Sequence, residues 1–443
     1  MKERRGAALG RARGDKGRSR AGAGMRHAAI GGLLLTLLAS STLTAARQRA
    51  VPKADPARAI HEKLIVLDTH FDTPANLGRP GWSITDRHSV GVDGDQVDYP
   101  RMVEGGVDGG FFAIYTPSGP ATPEGDRAAR DFGIRRAVQI REMIAKHSDV
   151  FALALTADDA IRAAARGKRF VFLSMENGYP FEGDLSLMKT FRGLGVTMMG
   201  ITHFKNNALG DSATDTPQWH GLSPLGREAV AEANRLGVVI DVSHASDEVL
   251  RQTVALSRAP IILSHSGLRA IHDHPRNVSD ADALLVASKG GVIQVNAYSG
   301  YMISPPAPNP GRDAATKELM AGYMRMDTLS VAEKRALVAR RKAIEAKFPA
   351  PRADFDMFMA HLLHAIKLVG IDHVGISGDF DGGGGVDGLD DVTAYPKVTA
   401  ALLKAGYSPA DIGKVWGGNA LRVLREAQAL ADPAAVPKVP VTG

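Results

Sequence analysis

The chain has 443 residues, 44% of them hydrophobic, and no cysteine. It can bury a sizeable core, but it can neither form disulfides nor use a thiolate as ligand or nucleophile. Its net charge of +6 is local: residues 1–50 carry 11 Lys and Arg against 2 Asp and Glu, so the other 393 residues sum to −3 and lack the basic footprint of a nucleic-acid binder.

The first feature along the chain is "MRHAAIGGLLLTLLASSTLTAARQ", which begins at Met25. A basic start, an apolar middle and small residues around Ala45 and Ala46 form the three-part pattern of a secretory signal. Residues 1–24, rich in Arg and Gly, read as an over-long gene start. The apolar middle is short for the ~20 residues of a spanning helix. Cleavage near Ala46 is expected, and with it export to the periplasm or the extracellular space, without stable membrane insertion. Residues 1–46 are thus an extension and signal, and 47–430 the folded body. Residues 431–443, "ADPAAVPKVPVTG", are expected to be disordered.

Eight apolar, β-branched runs follow: Leu64–Asp68, Gly109–Tyr115, Phe170–Met175, Val196–Thr202, Val238–Val242, Pro260–Ser264, Val292–Asn296 and Val374–Ser377. Most are separated by stretches with apolar residues at helical spacing. In "SPLGREAVAEANRLG" (223–237), Ser223 can cap, Pro224 suits the first turn and Gly237 can end the helix. Eight strands alternating with helices predict a single α/β domain, a (β/α)8 TIM-type barrel, with an open doubly wound sheet as the competing fold. Two segments interrupt the alternation. Residues 73–106 read as a long loop after the first strand. Residues 301–355 read as an insertion before the last strand, and the charge run "VAEKRALVARRKAIEAKF" as a solvated helix face.

Polar residues recur where the runs end. His70 and Asp72 close the first run, Glu176 the third, His203 the fourth, His244 the fifth, His265 the sixth, and Asp379 and Asp381 the eighth. The C-terminal ends of barrel strands form the active-site face, so six of eight strands deliver an imidazole or carboxylate to one rim. Singly, each has a plainer explanation. His70 and Asp72 could form a hydrogen-bonded pair, Glu176 could neighbour a helix cap, and His244 could be a buried histidine satisfied near Asp241. Jointly they indicate a metal site. Imidazole and carboxylate without thiolate suit catalytic zinc. Five ligands exceed one tetrahedral ion with an open position. Two ions sharing a carboxylate fit better, with Glu176 the economical bridge. The other histidines, His61, His88, His147, His220, His272, His274, His361, His364 and His373, are assigned to loops or helix surfaces.

Several ordered motifs then carry a resemblance: "DTHFD", "THFKNN", "GLSPLGREAVAEANRLGVVIDVSHASDE", "PIILSHSGLRAIHDHPRNVSD", "GIDHVGISGDFDG" and "GYSPADIGKVWGGNALRVL". From about Leu64 to Leu424 the chain resembles the membrane dipeptidase (renal dipeptidase) family of zinc peptidases, a branch of the amidohydrolase-like barrels. The resemblance implies a barrel with two Zn2+ ions, one on His70 and Asp72, the other on His244 and His265, bridged by Glu176. It implies that His203 binds the substrate carbonyl and stabilises the oxyanion, and that Asp379 handles the proton of the attacking water. Arg276 would pair with the free carboxylate of a dipeptide. Asp68 and Asp381 would orient ligands or backbone.

Two departures stand out. The family more often has Gly where Asn177 follows Glu176, which bears on the local backbone. Animal members are disulfide-linked and lipid-anchored, and neither feature carries over to a chain without Cys or an anchor signal; the oligomeric state, a homodimer included, stays open. The expected activity is a zinc-dependent dipeptidase that attacks the peptide with a zinc-bound hydroxide and tolerates C-terminal D-residues. The alternatives are another binuclear hydrolase acting on a lactone, an N-acyl amino acid or a phosphoester, and a metal-binding protein without turnover.

Overall fold

In the computed structural model, residues 55–440 are described apart from Glu182 and Met324; the leader expected in residues 1–46 lies outside them. Nine strands form: β1 Leu67–Phe71, β2 Gly109–Tyr115, β3 Phe151–Leu153, β4 Arg169–Glu176, β5 Val196–Gly200, β6 Val239–Asp241, β7 Ile262–Ser266, β8 Val292–Asn296 and β9 Val374–Ser377. Eight pair in parallel in the order β1-β2-β4-β5-β6-β7-β8-β9. The ends of this sheet meet. Phe71 bridges Phe380, and the Asp72 amide donates to the Phe380 carbonyl at 3.0 Å. A (β/α)8 barrel results, nearly closed. Its strands are buried on both faces, which is why they read as continuous apolar runs.

Closure is also visible in the core. Leu67, Phe111, Phe172, Met198, Val239, Ile262 and Val292, from seven different strands, share one cluster with Leu421 and Leu424 of the C-terminal helix Asn419–Ala429. Seven strands can converge on one cluster only inside a closed sheet. A larger cluster lies between the strands and the surrounding helices. The helix Pro224–Leu236 begins and ends as its sequence dictates. Ser223 Oγ accepts from the Gly226 amide at 3.0 Å, Pro224 opens the first turn, and Gly237 (φ 65°) closes it in the left-handed region.

Several expectations need correction. β3 was not foreseen: it is three residues long and pairs only with Arg169–Val171, where β5 has not yet begun. β1 starts and ends three residues later than expected, which puts His70 inside the strand. The segment 73–106 contains a 3-10 turn, Thr73–Asn76, and a helix, Tyr99–Gly105, rather than loop alone. The charged stretch is a helix, Val331–Lys347, but not only a solvated one, because Lys334 and Val338 are buried. The tail is not disordered over 431–440. Ala435 is buried in the main core, the Asp432 amide donates to the Arg235 carbonyl, and Arg141 donates to the Pro440 carbonyl. His61 and His361 are buried rather than superficial. His61 bonds Thr399 and Gly105, and His361 accepts the Leu268 amide.

Candidate active site

Seven of the eight residues expected at the site converge on the C-terminal rim. The Glu176 carboxylate is at their centre. Its Oε2 lies 3.5 Å from His70 Nε2, and its Oε1 lies 3.5, 3.1 and 3.6 Å from Nε2 of His203, His244 and His265. Asp72 Oδ2 stands 3.3 Å from His70 Nε2. Ligand atoms of His70, Asp72 and Asp379 fall within 4.8 Å of one another, as do those of His70, Glu176 and His265, and those of Glu176, His203 and His244. Arg276 approaches from behind. Its Nη atoms donate to the backbone carbonyls of Ser243 and His265, and its Nε is buried without a partner.

Several strand ends are fixed by outer bonds. Asp241 Oδ2 accepts from Ser264 Oγ at 2.5 Å, and that hydroxyl sits 2.8 Å from His265 Nδ1. The hydroxyl therefore accepts from Nδ1–H, which leaves the Nε2 lone pair of His265 aimed at the centre. Asp68 accepts from the His70 and Gly378 amides at 2.9 and 2.8 Å and from the Tyr395 hydroxyl, tying β1 to β9. Asp379 and Asp381 follow β9 in the left-handed region, at φ 52° and 68°. Strain of this kind persists where the surroundings over-determine it. Asn177, beside Glu176, takes φ 76°. Asn enters this region more readily than most residues, and its amide donates to the Thr116 carbonyl at 2.8 Å. The backbone that a glycine would adopt is thus reached by another residue.

The electrostatics suit a cation. Burial drives the Glu176 carboxyl up, and burial, then Asp72 and Glu176, pushes Asp379 up to about 7. Burial holds His203 down at about 3, with help from Arg276 and His70, and it holds His244 and His265 well below the usual imidazole range. These three present neutral nitrogens, the form that ligates. His70 goes the other way. Burial would lower it, but Glu176 and Asp72 overcome that and raise it well above its usual value. The carboxylates thus demand positive charge between them. A divalent ion meets that demand and leaves His70 neutral. His70 Nε2, set between the Asp72 and Glu176 carboxylates at 3.3 and 3.5 Å without a well-aligned hydrogen bond to either, is a further sign of an incomplete shell. The donor set fits a metal centre.

Two neighbours were not anticipated. Asn296, the last residue of β8, donates Nδ2 to Asp379 Oδ2 at 3.0 Å. Tyr115, the last of β2, packs edge-on against His203 at 4.9 Å. Both end the two strands to which the sequence had assigned no rim residue, so their position was the available signal.

Comparison with known proteins places this geometry in context. Residues 54–438 match the family model described as membrane dipeptidase (peptidase family M19). Dipeptidase tcpJ of Claviceps purpurea is 30% identical over 76% of this chain and 70% of its own length. Among solved structures, the probable dipeptidase PvdM from Pseudomonas aeruginosa has a TM-score of 0.72 at 34% identity, covering 85% of this chain and 98% of its own. A second, described as dipeptidase AC, a metallo peptidase, has a TM-score of 0.65 at 25% identity, covering 82% and 99%.

Proposed function

The chain belongs to the membrane dipeptidase family, peptidase family M19, and is a metal-dependent dipeptidase; from that premise we propose that it works with two zinc ions held by His70, Asp72, Glu176, His244 and His265. The observation that carries this reading is the Glu176 carboxylate, one oxygen toward His70 and the other toward His244 and His265. A pair of zinc ions, when bound, polarises the peptide carbonyl and lowers the pKa of water so that a hydroxide nucleophile exists at neutral pH.

The chain's own residues supply the rest. His203, neutral and half-facing Tyr115, offers an N–H to the carbonyl oxygen as it gains charge. Asp379, held by Asn296, takes a proton from the attacking water and returns it to the departing amine. Arg276 is the cation whose charge reaches His203, His244 and His265. Its planar guanidinium is the group assigned to the free carboxylate of a dipeptide. The proposal extends to dipeptides with C-terminal D-residues and to an exported enzyme of the cell envelope. No helix among the described residues is long and apolar enough to cross a membrane.

The test is a dipeptide panel on the full chain, with L- and D-residues at the C-terminal position, zinc-loaded and again after chelation. Zinc-dependent release of amino acids, absent from C-terminally amidated controls, is the expected outcome. Two retained zinc ions with no turnover of any dipeptide would overturn the proposed roles of His203 and Asp379. Metal at one ion per chain in the active enzyme would overturn the bridging role of Glu176.

A further inference from the structure

The insertion between β8 and β9 carries a buried cation. Lys334, on the helix Val331–Lys347, is 2% exposed. Its ammonium donates to Asp95 and, at 3.1 Å, to Asn76 Oδ1. Asp95 also accepts from Trp82 Nε1 at 3.0 Å and faces Arg79 at 3.6 Å. Arg79 in turn donates to Asn76 Oδ1 at 2.9 Å. The helix is pressed close to this loop: a methyl built on Gly94 would stand 2.7 Å from Val338 Cγ2. A lysine ammonium is expensive to bury and stays only where partners compensate it.

Two paths lead from Lys334 to the rim. One runs through Asn76, the last residue of the 3-10 turn that begins at Thr73, directly after Asp72. The other runs through Asp95 to Gln96. The Gln96 amide donates to Asp381 Oδ1 at 2.6 Å, and its Oε1 accepts the Asp381 amide at 2.8 Å. Asp381 lies two residues past Asp379, in the left-handed stretch. The paths are cross-linked, because Thr73 Oγ1 donates to Asp381 Oδ2 at 2.6 Å. Lys334 and Arg79 set two positive charges against Asp95 and Asp381, while the nearby Asp93 is paired with Arg335 at 2.7 Å.

We propose that Lys334 is a positioning residue, through which the insertion helix holds the segments bearing Asp72 and Asp379 in register across the β1–β9 seam. It acts by balancing charge: without it, Asp95 keeps Arg79, at 3.6 Å, as its nearest guanidinium, and the excess negative charge beside Asp381 pushes the two rim segments apart. The inference rests on the roles given above to Asp72 and Asp379.

The test compares wild type, Lys334→Met and Lys334→Met/Asp95→Asn, reading kcat and KM on one dipeptide and zinc affinity by chelator competition. Lys334→Met should lower kcat and zinc affinity, each by about tenfold or more, with KM within about twofold. The double variant restores neutrality and should recover both to within about threefold of wild type. A single variant with kcat and zinc affinity near wild type, even with a lowered melting temperature, would overturn the proposal. So would a double variant no better than the single. Where Lys334→Met does not fold, Thr73→Val cuts the cross-link alone and should lower kcat in the same way; unchanged kcat there would also overturn it. Wild-type turnover in the same assay reports on the site itself, so a dead wild type and a silent variant are distinguishable.

Discussion

At the scale of single residues, the rim is tight at Gly382. Gly382 lies against both carboxylates that follow β1 and β9. A methyl built on it would overlap Asp72 Oδ2 and stand 2.7 Å from Asp379 Oδ1. Gly382→Ala should therefore displace at least one carboxylate while leaving the barrel core untouched. Misplacement of about 1 Å is enough for a loss of about a hundredfold. Steady-state kcat beside an unchanged far-ultraviolet circular dichroism spectrum checks this, and a variant with kcat within threefold of wild type would contradict it. Asn177 makes the complementary case. Its φ of 76° suits glycine, yet its side chain holds Thr116 and accepts from the Tyr179 amide at 3.2 Å. Asn177→Gly should keep turnover within about threefold, because the backbone still fits. Asn177→Val should cost about 1–3 kcal/mol in urea unfolding, since a β-branched residue there is strained and loses the side chain's hydrogen bonds to Thr116, Ser118, Tyr179 and Asn207. Equal stability of the two variants would show that the left-handed backbone is not what matters at this position.

At the scale of elements, the seam between β1 and β9 closes the barrel and also orients the site. Asp68 is fully buried and spans it by accepting from the Gly378 amide and the Tyr395 hydroxyl. Tyr395→Phe removes one donor to a buried carboxylate and should cost about 1–3 kcal/mol. Urea unfolding of metal-free protein measures this, and a cost below about 0.5 kcal/mol would mean that the seam relaxes around the loss. The eight barrel strands were legible because strands buried on both faces read as apolar runs. So were the rim residues, since a strand end is marked by the first charged side chain after such a run. What was not legible depends on distant partners. β3 has three residues and exists only because the start of β4 has a free edge. Lys334 looks like one charge among many until Asp95, 239 residues away, is brought beside it. His61 finds Thr399 from 338 residues away, and the tail finds Arg235. Arg276 could be placed near the site from its motif, but not with its Nη atoms spent on the carbonyls of Ser243 and His265.

At the scale of the whole molecule, the response to acid combines opposite signs. Burial holds His61 and His361 down at about 4, against 6.5 for the free side chain. Between those values the unfolded chain binds a proton at each site that the folded chain refuses, so each histidine makes stability fall as pH drops from 6.5 toward 4. The shift corresponds to about 3 kcal/mol per site. Asp68 runs the other way. Burial raises it to about 6, so the folded chain takes its proton first, and acidification between 6 and 4 relieves a cost present at neutral pH. The total curve therefore mixes gains and losses, and its shape assigns nothing. A difference curve does. The cost of His361→Gln, measured by urea unfolding of metal-free protein, should be smaller at pH 4.5 than at pH 8 by about 2–3 kcal/mol, because the variant has no proton to refuse. His361 is the sharper probe. Its Nδ1 accepts the Leu268 amide at 3.0 Å, a bond that the protonated ring cannot make. The same comparison for His61→Gln should repeat the sign, since that ring is equally buried, between Thr399 and Gly105. Parallel stability curves for wild type and both variants would mean that the two rings take up their protons within the fold.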